Sequence, residues 1–173
     1  MEVFFLRSFS AKPLVFAGVF VALTILFTYV FSIQTPFVRL SFGFLPVAIY
    51  AAMFGPVRGG ITAAAADILG ASLFSPGAFF PGFTLSSFLS GYIYGYFLHQ
   101  KELSLKHILP PFLLIFILVD LGLNTLWLTL LYQQAAGAFF LSRLVKNILC
   151  LPVNILLFSA VHRSLAAFLP RLS

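Results

Sequence analysis

Two polar stripes carry most of the chemistry this chain could do. Asp120, Asn124 and Trp127 recur at i, i+4 and i+7; Arg143, Asn147, Cys150 and Asn154 repeat the spacing, with Lys146 alongside. At helical periodicity each set lies along one face. If the two helices run antiparallel through a turn at Gln133–Gly137, Asn124 reaches the depth of Lys146 and Asn147, and a pocket opens toward that turn. Donors, acceptors and cations in a pocket are equipment for recognition. Asp120 serves it or pairs with Lys146 as a structural bridge.

Other residues extend the set. Asp67 stands among small residues, where its carboxylate could accept two hydrogen bonds from a guanidine-like edge of a heterocycle or pair with a neighbouring helix. Arg39 could grip a carboxylate through two parallel bonds, or anchor at lipid headgroups. The stretch Ser75–Ser86 is rich in Pro and Gly and carries Phe79, Phe80 and Phe83, rings too apolar for a loop lying in water. They stack on a flat ligand or sit in the membrane interface. Phe42, close after Arg39, joins the candidate ligand contacts. The whole constellation suits an anionic ligand with a flat polar ring.

Catalytic signatures are missing from the sequence. It has no GxxxxGK[ST] phosphate loop, no HExxH and no GxSxG; His99, His107 and His162 are scattered, and the single Cys150 excludes an internal disulfide. No metal, no cofactor and no enzymatic activity are expected. The net charge of +6 comes from thinly spread cations, which points to topology and not to nucleic acid.

The elements that must hold these groups are membrane helices. A 173-residue chain that is 61% hydrophobic and 8% charged cannot hide that much apolar side chain in a soluble core. The pattern predicts one all-α domain over 1–173, a polytopic bundle of six transmembrane helices without internal repeats. Its segments are Pro13–Phe31, Ser41–Phe54 interrupted by Pro46, Ile61–Phe74 after a turn at Gly55–Gly60, Thr84–His99, a helix restarting at Pro110 and Pro111 and running to Tyr132, and Ala138–Phe168 kinked at Pro152. Ser32–Arg39 reads as a polar connection. Ser87, Gly91 and Gly95 share a face that lets a neighbouring backbone approach. Arg7, Lys12, Arg58, Lys101, Lys106, Arg163 and Arg171 fall on one side and Arg39, Arg143 and Lys146 on the other, so both termini are expected in the cytoplasm. A charged group inside a span costs at least about 2.5–3.5 kcal/mol on insertion scales, so the second group of cations needs a partner.

The stretches Arg39–Pro46, Phe54-Gly-Pro56, Ala66–Ala71 and Phe80–Ser86 closely resemble the folate-specific S components of energy-coupling factor (ECF) vitamin transporters. That resemblance implies a six-helix membrane subunit that captures folate from outside. It also implies docking on a transmembrane T component with two cytoplasmic ATPases, which energise import in trans. Such families carry AxxxA spacing on the first helix where the T component docks; here Gly18 and Ala22 meet the spacing, with glycine replacing one alanine. Folate would offer a pterin for Phe79, Phe80 or Trp127, a 2-amino/N3 edge for Asp67 or Asn147, and two carboxylates for Arg39, Arg143 and Lys146. Three alternatives stay open: another flat heterocyclic vitamin as ligand, a membrane enzyme acting on an anionic lipid through Asp67 and Asp120, and a scaffold whose small-residue faces only bind helices.

Overall fold

The computed structural model describes residues 11–34, 39–74, 79–101, 104–132 and 136–165. Arg7, Arg171, Ser75–Ala78 and the turn residues Gln133–Ala135 lie outside them, as do the side chains of Lys12 and Arg39. Among the described residues the chain forms six helical rods and one very short ribbon. Helix α1 runs over Ala11–Ile25 and continues as a π-helical turn, Leu26–Val30. Strands β1 (Ile33–Gln34) and β2 (Arg39–Leu40) then pair antiparallel, Ile33 with Leu40 and Gln34 with Arg39. The expected polar connection is therefore a small hairpin, which gives its main-chain groups partners where the chain reverses.

Helix α2 (Phe44–Phe54) has 11 residues, which makes it about 16 Å long, roughly half a bilayer core of about 30 Å. It survives because it is enclosed by protein, with Pro46 to Ala51 all buried. Pro46 does not interrupt it: the residue sits in the first turn, where the missing N–H has no helical acceptor to lose.

The expected six-residue turn at Gly55–Gly60 is a single residue. Gly55 takes φ 90° and ψ 176°, a conformation open to glycine alone, and α3 (Pro56–Phe74) starts at once with proline in its first position. Gly59 and Gly60 belong to α3 because helix packing uses them. A Cβ on Gly59 would lie 2.5 Å from the Cβ of Ala51 and 2.8 Å from Gly91 O, and one on Gly91 would collide with the Gly59 main chain. Gly95 packs in the same way on Gly55 and Pro56. The glycine face predicted on α4 (Pro81–Leu98) thus lies backbone to backbone against α3, the contact that small residues permit in membranes.

Rod α5 spans 105–132 without a break: α-helix Leu105–Leu114, π-helix Ile115–Leu123, α-helix Asn124–Tyr132. It begins before Pro110 and Pro111, not at them, and Pro111 is among the most deeply buried residues. Rod α6 (Ala136–Leu165) takes in Ala136 and Gly137, expected in the turn, and carries Pro152 inside.

The core lies where α2 meets its neighbours, with Ala48, Ala51, Ala63, Tyr94, Leu98, Phe112, Val119 and Phe158 in one apolar cluster. Phe112 stands edge-on to Tyr94 at 5.2 Å and contacts Phe158 at 5.7 Å. Tyr50 Oη reaches from α2 to donate to Pro13 O at 3.0 Å, and the His99 ring nitrogen Nδ1 pairs with Ala52 O at 2.9 Å. These contacts fix the end of the bundle carrying Gly55. The opposite end carries the ribbon, the last turns of α3 and α5 and the first turns of α4 and α6.

Among the described residues, four segments are long and apolar enough to cross a membrane: Pro13–Val30, Pro56–Phe74, Lys106–Leu131 and Arg143–Ser164. Helix α2 is short and buried, and α4 trades hydropathy for the serines and glycines of its packing face.

Candidate functional site

At the ribbon end, Phe80 is extended and immediately precedes α4, which Pro81 starts. Its ring lies 5.8 Å from Trp127 on α5 and 5.9 Å edge-on from Phe83. The indole Nε1 donates to Ser86 Oγ at 3.0 Å, and Ser86 is buried. An edge-anchored indole has a defined plane, which is what a stacking wall requires. Gly82 makes room for it: a Cβ there would lie 2.5 Å from Phe80 and 2.6 Å from Trp127. Phe79, next to this pair in sequence, is exposed, and so is Phe42, two residues after the ribbon in sequence.

A second polar contact joins α3 to α4. Thr84 Oγ1 donates to Asp67 Oδ2 at 2.8 Å, with Asp67 half-buried.

The third group is a half-buried cluster between α5 and α6. Asn124 Nδ2 donates to Asp120 Oδ1 at 3.3 Å, and Arg143 Nη1 donates to the main-chain oxygen of Asp120 at 3.2 Å. Asp120 also lies within the electrostatic reach of Lys146 and Arg143. Asn124 Oδ1 and Arg143 Nε are buried without a hydrogen-bond partner. Asn147, on α6, is buried as well. Among the described residues no three His, Cys, Asp or Glu side chains gather as metal ligands.

The contact between the two stripes runs through Asp120, not through Asn124 with Lys146 and Asn147 as the depth count suggested: Arg143 donates to the Asp120 main-chain oxygen and Lys146 acts on Asp120 through its charge, while the Asn124–Asp120 bond stays within α5. Phe80, Phe83 and Trp127 also converge. Arg39 is placed only by its backbone in β2. Sequence reasoning missed Ser86, Thr84 and Gly82. A signal existed for one of them: a carboxylate in a span needs a donor at matching depth on the next antiparallel helix, and Thr84 is such a hydroxyl. Gly18 and Ala22 lie exposed on α1, and a Cβ on Gly18 would meet nothing within 4 Å.

An apolar helical bundle that gathers its aromatic and polar groups at and below one end, with no catalytic constellation among the described residues, has the build of a membrane solute-binding subunit. The comparisons specify the class. The model of the ECF-type riboflavin transporter S component matches residues 8–166, and the chain belongs to this family of ECF-transporter S components. It is 42% identical over 145 residues to the folate transporter FolT of Clostridium novyi (strain NT), covering 84% of either chain. A second relative, the folate transporter FolT of Leuconostoc mesenteroides, is 32% identical over 131 residues, with 72% of this chain and 70% of that one covered. Among solved structures, a crystal structure of FolT bound with folic acid superposes with a TM-score of 0.86 at 34% identity, covering 90% of this chain and 95% of the other. The curated relatives are transporters by name, in keeping with the expectation of a non-enzymatic role.

Proposed function

We infer that the protein is the folate-binding subunit of an ATP-driven ECF importer. The observation that carries this is the likeness, along 84% of the chain, to a protein named a folate transporter. The site agrees with it chemically. Phe80 and Trp127 provide a wall for a pterin, with Phe79, Phe83 and Phe42 at its margin. Asp67 and Asn147 provide partners for the amino edge, while Arg39, Arg143 and Lys146 supply the positive charge that two glutamate carboxylates call for. In this reading the ribbon end faces outside, the six rods cross the membrane, and both termini lie in the cytoplasm, where the larger group of cations falls. The exposed Gly18/Ala22 face of α1 docks on a T component, and two cytoplasmic ATPases drive release inward.

A second flat vitamin, riboflavin, is favoured by one observation, the description of the matching family model. Calorimetric titration of purified protein with folate, riboflavin, thiamine and biotin separates the two. Folate binding at least about a hundredfold tighter than riboflavin, a difference of about 2.8 kcal/mol, is the expected result. Equal affinity for all four, or preference for riboflavin, sinks the folate reading.

A further inference from the structure

We propose that the Gly55 end of the bundle carries a site for one anionic phospholipid: Lys101 and Tyr96 hold its phosphate, and a ladder of rings on α4, Phe88, Tyr92 and Tyr96, lines its acyl chain. The site lies apart from the groups at the ribbon end and is independent of what they bind.

The backbone places the lysine. Helix α4 closes with the His99 N–H on Gly95 O, and Gln100 then takes φ 55°, a left-handed conformation that few non-glycine residues adopt and that ends helices by reversing the chain. A lysine beyond a helix end ordinarily carries its ammonium out into water. Lys101 does not: its Nζ lies 5.7 Å from the centre of the Tyr96 ring and 5.8 Å from that of Phe97, two rings that stand edge to face at 5.3 Å. The charge is thus held beside the last turn of α4. Ring faces attract a cation without neutralising it, so its N–H donors stay available to a phosphate.

The rings make a track leading to that charge. Phe88, Tyr92 and Tyr96 recur at i, i+4 and i+8 and so share one face of α4. Tyr92 and Tyr96 are exposed, the latter by 60%. Phe88 stacks on Tyr92 at 6.3 Å and is seated where α3 has no side chain, since a Cβ on Gly60 would fall 2.9 Å from its ring. At about 1.5 Å per residue the three rings stand about 15, 9 and 3 Å from Leu98. The track therefore runs from hydrocarbon depth to the headgroup layer, and phenols occupy its two shallower steps, as membrane interfaces favour.

Charge selects the headgroup. Lys101, Lys106 and Arg163 are exposed at this end, and Arg58 is half-buried. Asp67 and Asp120, the carboxylates among the described residues, are engaged deeper in the bundle with Thr84 and Asn124. Glu102 lies outside the described residues, and between Gln100 and Lys106 two lysines outnumber it. A zwitterionic headgroup would bring a further cation to this place, whereas an anionic one brings only the phosphate that the lysine can use.

The test is native mass spectrometry of the full chain in detergent, titrated with phosphatidylglycerol or with phosphatidylcholine of the same acyl chains. Wild type is expected to retain the first phosphatidylglycerol at least about fivefold more tightly, the preference that one lysine at a membrane surface supplies. Lys101→Gln should bring the two lipids within about twofold of each other, while Lys101→Arg and Arg163→Gln should keep the preference. Tyr96→Leu, which removes the ring face and the phenol, should weaken phosphatidylglycerol by about two- to fivefold. The proposal is overturned if wild type retains both lipids equally, if the preference survives Lys101→Gln, or if Arg163→Gln removes as much of it, which would make the attraction diffuse. Displacement of phosphatidylglycerol by an equimolar amount of inorganic phosphate would assign the site to a soluble anion and overturn the lipid. If Lys101→Gln does not fold, Tyr96→Leu and the wild-type titrations still decide.

Discussion

The packing of Trp127 can be tested by adding one methyl group. In Gly82→Ala the new Cβ falls 2.5 Å from Phe80 Cε1, and 2.6 and 2.9 Å from Trp127 Cδ2 and Cε2. Carbon atoms rest at about 3.5–4.0 Å, so one ring or both must withdraw by about 1 Å. Overpacking of this kind costs about 1–3 kcal/mol, and breaking the indole bond to Ser86 would add about 0.5–1.5 kcal/mol. Gly82 lies in the first turn of α4, away from the tight α3–α4 contact, so the cost falls on the site and not on the bundle. Folate affinity should fall by about 5- to 150-fold, the range that 1–3 kcal/mol spans. The chain has a single tryptophan, so its emission reports this position directly, and the variant should show a shifted emission maximum and weaker quenching by folate. Gly18→Ala, whose methyl meets nothing within 4 Å, is the control and should behave as wild type. If Gly82→Ala stays monodisperse with unchanged Kd and unchanged emission, the placement of Trp127 over Gly82 is wrong.

Three other perturbations address other links in the argument. Gly91→Ala pushes a methyl into the Gly59 main chain, which has nowhere to retreat; a loss of about 1–3 kcal/mol and a clearly lower melting temperature in detergent are expected, and an unchanged melting temperature would refute the backbone contact. Thr84→Val removes the donor to Asp67 at nearly constant shape and should cost about 0.5–1.5 kcal/mol of thermal stability; no loss would mean that the 2.8 Å bond contributes nothing. Gly18→Phe should leave folate binding intact while abolishing co-purification with the T component and ATPases. Retained co-purification would place docking on another face.

What the chain determined by itself is what depends on composition and local period. Too many apolar side chains for a soluble core force a membrane bundle, and helical spacing assigns Asp120 to the face of Asn124 and Gly91 to that of Gly95 wherever the helices happen to lie. Boundaries were less legible, because glycine and proline are read as breakers from local propensity alone. Gly59 and Gly60 stay helical since a neighbouring backbone needs their missing side chains, and Pro110 and Pro111 lie within α5. Tertiary structure alone decided the pairings: Thr84 with Asp67, Ser86 with Trp127, and Arg143 with the main-chain oxygen of Asp120. Each of these depends on the relative height and rotation of two helices. Neither quantity is encoded in the spacing of residues along one strand of sequence; both emerge only when the rods pack.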